Sequence, residues 1–89
     1  FIPSPNYPIE ASRSRKEGYA IVELTVSKQG RATDIVLIEE RPNSYDFGVE
    51  AVKAAESLLY APRFVDGEPQ EVPGVLFKYT FTMAPKGRR

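Results

Sequence analysis

Apolar and polar side chains alternate along the segment PGVLFKYTFTM, near the end of the printed chain. One set of alternate positions holds Val75, Phe77, Tyr79, Phe81 and Met83. The other set holds Leu76, Lys78, Thr80 and Thr82. Because successive side chains of a strand point to opposite faces, this pattern predicts a strand over residues 75–83 with one buried face. At about 3.4 Å per residue it would be about 30 Å long, which exceeds the usual strand length.

Two earlier segments also have the periodicity of strands. In YAIVELTV, residues 19–26, one face would carry the apolar set Ala20, Val22, Leu24 and Val26. The next residues, SKQG, predict a hairpin turn in which Gly30 adopts a positive φ. The return segment RATDIVLIEE, residues 31–40, has apolar residues on both faces. It therefore predicts either a bulge or a strand that is buried on both faces.

Two helices complete the pattern. Pro8 suits the first turn of a short surface helix over IEASRSRKE, and we expect Gly18 to end that helix. After Pro42, the segment FGVEAVKAAESLLY, residues 47–60, predicts a longer amphipathic helix. Its apolar stripe consists of Phe47, Ala51, Ala54, Ala55 and Leu58. The residues that can cap this helix are Asn43, Ser44 and Asp46.

The order helix, strand, strand, helix, strand limits the topology. The hairpin makes the first two strands antiparallel, and a right-handed return through the second helix places the third strand beside the first. We therefore predict an α+β domain in which two helices pack on a three-stranded antiparallel sheet with the strand order 2-1-3. The domain would span residues 8–83, with a proline-rich N-terminal arm at 1–7 and a flexible tail at 84–89. Residues 62–74 would form the loop before the third strand.

Composition narrows the range of functions. Eighty-nine residues with 42% hydrophobic content suffice for one small domain. Lys plus Arg and Asp plus Glu number 12 each, so no net field favours nucleic acid or an anionic membrane. Cys and His are absent, which removes thiolate metal ligands, the commonest transition-metal ligand and the commonest general base. We therefore expect no metal, no cofactor and no nucleic-acid partner.

The charged clusters that could carry chemistry have simpler explanations. The run RSRK at 13–16 could bind phosphate, but it is short and suits a solvated helix face. Asp66 and Glu68 are two carboxylates that flank a glycine in a turn, without a histidine or a nucleophile motif. We therefore do not expect an enzyme. A small hydrolase built on these two carboxylates is the alternative that Asp66→Ala would test.

The third strand would lie at an edge of the sheet, with one side unpaired. Such an edge is an aggregation liability unless another segment covers it or a partner uses it. The tail or the N-terminal arm could cover it. Alternatively, an extended peptide could pair with it by β-augmentation. A second copy of the chain could also pair with it and form a homodimer.

Several segments resemble one known family, with the same spacing between them. PNYPIEASRSRKEG resembles the opening of the TonB C-terminal domain, and Gly30 lies where that family has its hairpin glycine. The second helix, the aromatic-Ala-Pro sequence at 60–62, the segment DGEPQEVPG and the final FKYTFTM are also similar. The chain departs from the family at Gly48, where an acidic residue is common. The resemblance covers nearly the whole chain.

The resemblance implies an energy transducer of Gram-negative bacteria. In that family, an inner-membrane helix driven by the proton-channel motor ExbB-ExbD connects through a proline-rich periplasmic linker to this domain. The domain grips the TonB box, an extended peptide of outer-membrane receptors, for uptake of nutrients such as iron-siderophore complexes. It would therefore lie in the periplasm, anchored in the inner membrane by an N-terminal helix outside this chain.

The resemblance also implies which residues bind the peptide. The family adds the peptide to its last strand, which assigns binding to Val75, Leu76, Phe77, Lys78, Tyr79, Thr80, Phe81, Thr82 and Met83. A secondary contact is implied for Ser4, Pro5, Asn6, Tyr7 and Pro8, which correspond to the region near the bound peptide. The alternative is a TonB-like domain of another periplasmic sensor or cell-envelope protein, which would use the same edge for a different partner.

Overall fold

The structure, a computed structural model, describes residues 1–83, and the predicted tail at 84–89 lies outside the described residues. Its helices are α1 (Ile9–Arg13) and α2 (Phe47–Ala55). Its strands are β1 (Gly18–Val26), β2 (Ala32–Arg41), β3 (Arg63–Val65), β4 (Glu68–Gln70) and β5 (Val72–Phe81). An antiparallel sheet has the order β2-β1-β5, and β3 and β4 form a separate antiparallel hairpin. The predicted fold class and strand order are confirmed.

β1 lies at the centre of the core, because strands pair with both of its sides and α2 packs over β1 and β2. Its alternate residues Ala20, Val22, Leu24 and Val26 are at most 5% exposed, as the pattern predicts. The core residues outside β1 are Ala11, Phe47, Ala51, Ala55, Leu58, Tyr79 and Phe81. The predicted stripe of the second helix is thus buried except for Ala54, which is half-buried.

α1 is shorter than predicted, and the prediction that Gly18 ends it is wrong. Arg15 takes a left-handed φ of 53° just after the helix. The N–H of Lys16 then donates to the carbonyl of Ala11 at 2.8 Å, a bond typical of helix C-termini. Ala11 is the buried residue of α1, so little packing favours a further turn. Gly18 instead begins β1, where a Cβ would lie 2.2 Å from the carbonyl oxygen of Arg41.

β2 is irregular at two positions, where the sequence predicts a bulge. Its pairing with β1 shifts register at two points, and Asp34 has a φ of 52°. The alternative, a strand buried on both faces, is wrong because Val36 and Ile38 are 56% and 50% exposed. β2 is an edge strand with α2 on one face, so its other face remains in solvent.

The prediction that α2 is capped by the side chain of Asn43, Ser44 or Asp46 is wrong. Asp46 occupies the N-cap position, but it has a φ of 64° and makes no side-chain cap hydrogen bond. Instead, the N–H of Gly48 donates to Oε1 of Glu40 in β2 at 2.9 Å. This carboxylate lies at the positive end of the helix dipole, where a negative charge is favourable. A Cβ at Gly48 would lie 2.4 Å from Cδ2 of Leu37, so glycine permits the close approach of β2.

α2 is also shorter than the predicted helix over 47–60. Leu58 is still buried, so the turn after the helix continues its apolar stripe. Leu59 then pairs with Arg31 as an isolated bridge, and the N–H of Tyr60 donates to the carbonyl of Gly30 at 2.8 Å. These bonds to the turn between β1 and β2 compete with helical bonds and explain the early end.

Residues 62–74, predicted as a loop, contain the β3–β4 hairpin. Asp66 and Gly67 have φ values of 52° and 80°, and two consecutive positive values are typical of a type I′ turn. Strands of three residues are too short for an alternating pattern to reveal them. β5 follows directly, so it begins at Val72 rather than at residue 75, and it ends at Phe81 rather than at Met83.

We expect Glu40→Ala to lower the free energy of unfolding by about 1 kcal/mol, because the mutation removes the acceptor at the start of α2. Glu40→Gln keeps an oxygen acceptor and should lose less. The exposed Glu56, at the other end of the helix, provides a control, and Glu56→Ala should change stability by less than about 0.5 kcal/mol. Urea unfolding measures all three; equal effects of Glu40→Ala and Glu56→Ala would contradict the assigned cap.

Tyr79 allows a test of the core through pH. It is 4% exposed, and its hydroxyl has no hydrogen-bond partner among the described residues. Burial, and after it the nearby Tyr60, raises the pKa of Tyr79 from 10.0 to about 12. Because an unpaired buried hydroxyl is unfavourable, Tyr79→Phe should leave the free energy of unfolding at neutral pH unchanged or raise it by about 1 kcal/mol.

The raised pKa predicts the pH at which stability falls. The folded state holds the proton more tightly than the unfolded state, so this contribution is complete below about pH 10 and is lost as the pH rises towards 12. Tyr79→Phe should therefore gain stability relative to wild type in alkaline urea titrations. A substantial loss at neutral pH would mean that the hydroxyl has a partner.

Candidate functional site

The candidate site is the side of β5 that faces away from β1. A hydrogen bond elsewhere in the sheet reveals which of its backbone groups have no partner strand among the described residues 1–83. The N–H of Ser27 donates to the carbonyl of Arg31 at 2.8 Å, across the turn towards β2. The N–H and C=O groups of successive residues point to alternate sides of a strand. The odd-numbered residues of β1 therefore direct these backbone groups towards β2. The even-numbered residues of β1 direct theirs towards β5.

The register then assigns the groups of β5. Ala20, Val22 and Leu24 lie opposite Tyr79, Phe77 and Val75, so these residues of β5 bond to β1. A separate contact agrees with this, since the N–H of Met83 donates to Oε2 of Glu17, just before β1, at 2.8 Å. The residues that direct their N–H and C=O groups to the free side are Leu76, Lys78 and Thr80.

The outer face of the sheet, opposite the helices, holds a polar network. Nζ of Lys78 lies 4.5 Å from the ring centroid of Tyr19 in β1. The hydroxyl of Tyr19 donates to Oε2 of Glu39 at 2.8 Å, and this bond is the main cause that raises the pKa of Tyr19. The ammonium group of Lys78 is therefore directed over β1 and does not shield the free side of β5. Leu76 stands on the same face and is 62% exposed.

The helix-side face of β5 changes from buried to half-buried along the strand. Tyr79 and Phe81 are buried, as the alternation predicts, whereas Val75 and Phe77 are half-buried. The rings of Phe77 and Tyr79 are in contact, with centroids 4.8 Å apart. α2 packs over β1 and β2, which leaves the apolar side chains near the start of β5 partly open. A strand added to the free side would place alternate side chains next to Val75 and Phe77.

The N-terminal arm runs along α2 and not along the free side of β5. The backbone of Phe1 pairs with that of Leu59, beyond the C-terminal end of the helix. Farther along, the arm borders a shallow groove with α2, lined by Pro3, Ser4, Pro5, Asn6, Glu50, Lys53, Ala54 and Ser57. The structure therefore does not bring Ser4, Pro5 and Asn6 together with the predicted site on β5.

Tyr7 of the arm contacts β5. Its ring packs edge to face against Phe81 and Phe47, with centroid distances of 5.8 and 5.9 Å. Its hydroxyl donates to the carbonyl of Lys16, and burial followed by the charge of Glu17 raises the pKa of Tyr7. Pro8 is buried next to it, at the N-cap position of α1. Glu17 was not predicted as part of the site, and no motif in the sequence marks its role.

The other charged candidates lie apart from this edge. Asp66 is in the exposed turn of the β3–β4 hairpin, and Glu68 is exposed in β4. In the run at 13–16, Arg13 forms an exposed ion pair with Glu10 at 3.2 Å. Residues 1–83 contain no group of three or more acidic, His or Cys residues that could hold a metal ion. Among the same residues, no helix is long and apolar enough to cross a membrane.

Comparisons with known proteins identify the family. The model for the Gram-negative bacterial TonB protein C-terminal family matches residues 3–83. A solved structure of the TonB2 protein from Vibrio anguillarum is 32% identical, with a TM-score of 0.68, and the match covers 92% of this chain and 76% of that one. The solution NMR structure of the TonB C-terminal domain of Pseudomonas aeruginosa is 25% identical, with a TM-score of 0.66. This match covers 100% of this chain and 86% of that one. No curated protein matches the chain. Because the family model matches nearly the whole chain and the solved structures share its fold, the chain belongs to the TonB C-terminal domain family.

Proposed function

We propose that this chain is the periplasmic domain of an energy transducer, and that β5 binds the TonB box of an outer-membrane receptor by strand addition. The observation that carries the proposal is the outer backbone of Leu76, Lys78 and Thr80, which no strand among residues 1–83 pairs with, next to the half-buried Val75 and Phe77. In this mode of recognition, backbone hydrogen bonds supply affinity and side-chain contacts supply selectivity. Membership of the TonB family supports the identity of the partner.

β5 is better suited to strand addition than the other edge of the sheet. The pairing of β2 with β1 shifts register twice, and bulges of this kind disrupt an edge as a template for pairing. The pairing of β5 with β1 shifts only between Leu24 and Val26, near the start of β5. The stretch from Val75 to Phe81 is therefore regular.

The proposal also includes the transmission of force. An inner-membrane anchor upstream of this chain, driven by a proton-channel motor of the ExbB-ExbD type, would pull on the domain through the N-terminal arm. Backbone bonds between β5 and the peptide would lie across a pull directed along the strand, and they would share such a load. The transported cargo would be a scarce nutrient such as an iron-siderophore complex.

The first test is an NMR titration of the domain with a synthetic TonB-box peptide. We expect the largest amide shifts at Leu76, Lys78 and Thr80, because their N–H groups would gain hydrogen bonds. Amides of β2 should shift little and serve as the internal control. Unchanged amide chemical shifts along β5 at millimolar peptide would refute the proposed site.

Proline substitutions test the direction of the backbone groups. Thr80→Pro removes an N–H that faces the free side, so the domain should fold while peptide affinity falls by about tenfold or more. Thr80→Val keeps the N–H and provides the matched control, with affinity expected within about twofold of wild type. Tyr79→Pro removes a bond to β1 and a buried ring, so it should abolish folding. Circular dichroism measures folding, and calorimetric titration measures peptide affinity. Unimpaired peptide binding by Thr80→Pro would refute the assignment of the Thr80 N–H to the free side.

A further inference from the structure

We propose that Tyr7 is a positioning residue that couples the N-terminal arm to the C-terminal end of β5, so that displacement of the arm speeds release of a strand bound there. This inference rests on the proposed function, because it concerns regulation of the same edge. Two sets of contacts, one through the ring and one through the hydroxyl, connect Tyr7 to the end of β5.

The ring of Tyr7 makes the direct connection. It meets Phe81, the last residue of β5, and Phe47, the first residue of α2, in nearly perpendicular geometry, with interplanar angles of 88° and 84°. Phe47 and Phe81 also contact each other, with ring centroids 4.7 Å apart. Edge-to-face pairs of this kind stabilise a contact beyond the burial of their area. Withdrawal of Tyr7 would therefore remove two such pairs and uncover Phe81.

The hydroxyl of Tyr7 makes the second connection, through the segment that leads into β1. It donates to the carbonyl of Lys16. The next residue, Glu17, accepts the N–H of Met83 at 2.8 Å, just past the end of β5. Gly18 then pairs directly with Phe81. Three consecutive residues thus hold both the arm and the end of β5, so release of the arm would loosen the support of that end.

Besides Tyr7, the backbone pair between Phe1 and Leu59 attaches the arm, whereas Pro3, Pro5 and Pro8 lack backbone N–H groups that could add further bonds. Its side chains border two open grooves, one along α2 and one next to Ser44, Tyr45 and Asp46. A pull from the upstream chain would load the Phe1–Leu59 pair first and then Tyr7, before it reaches the sheet. Thr80 is the outward-facing residue nearest to the loosened end, so its bonds to a bound strand would break first.

The experiment combines peptide dissociation kinetics with amide hydrogen exchange in the 89-residue chain. For Tyr7→Ala, we expect a synthetic TonB-box peptide to dissociate about tenfold faster, in line with the loss of two aromatic contacts. In the free domain, exchange at Phe81 and Met83, whose N–H groups face β1 and Glu17, should accelerate by about tenfold while exchange at Leu24 stays the same. Tyr7→Phe keeps the ring and should show a smaller increase in both rates.

Tyr45→Ala is the matched control, since Tyr45 packs against Phe47 at 6.4 Å and is not part of either connection to β5. It should leave dissociation and exchange at the end of β5 unchanged. If Tyr7→Ala does not fold, Glu17→Ala tests the second connection, and Glu17→Gln, which keeps an oxygen acceptor, should largely restore wild-type rates.

The outcomes separate the two proposals. Faster dissociation with faster exchange confined to Phe81 and Met83 supports the coupling. Unchanged rates in Tyr7→Ala overturn it, and so does acceleration that includes Leu24 or that Tyr45→Ala reproduces, since either result indicates a merely structural role. If the wild-type chain binds no peptide, the proposed function fails, and the exchange pattern of the free domain still decides whether Tyr7 supports the end of β5.

Discussion

Helix α2 lies close to β1 because its buried stripe includes Ala51 and Ala55, and the bond from the Gly48 N–H to Glu40 ties its first turn to β2. A helix held in this position covers two of the three strands. The helix-side face of β5 must therefore be covered by other side chains, and this cover is complete only near its end. The half-buried face next to the free side of β5 follows from where α2 is attached.

The aromatic cluster of Tyr7, Phe47 and Phe81 closes the remaining end of the core. Each ring comes from a different element, namely the N-terminal arm, α2 and β5, and the three rings are in mutual contact. A small domain has little core to distribute among its elements, so one cluster of large side chains can determine how all three are placed. The arm is thus part of the folded domain at Tyr7, although its first residues lie on the surface of α2.

The sequence predicts the elements with strong periodicity and misses those that depend on contacts distant in the chain. Alternation in β1 and β5 identifies the buried face of each strand, because one face of each packs against the core. The early end of α2 depends on the bond from Tyr60 to Gly30, and the start of α2 depends on Glu40, so neither is visible locally. The β3–β4 hairpin was missed because its strands are short, even though Asp66-Gly67 is a hairpin signal. At the edge formed by β5, the sequence predicts the strand itself. The register of its pairing with β1 is needed to tell which residues direct their backbone groups to the free side.

Strand addition at β5 would give limited affinity by its backbone alone. Leu76, Lys78 and Thr80 offer three N–H and three C=O groups on the free side, and each net hydrogen bond contributes about 1 kcal/mol. The sum of about 6 kcal/mol is offset by several kcal/mol, because an extended peptide must be ordered and immobilised when it binds. Side-chain contacts with Val75 and Phe77 would have to supply the remainder, which makes the half-buried face as important as the unpaired backbone. A pull along the strand would load these backbone bonds together, whereas loosening of the end of β5 would let them open one after another.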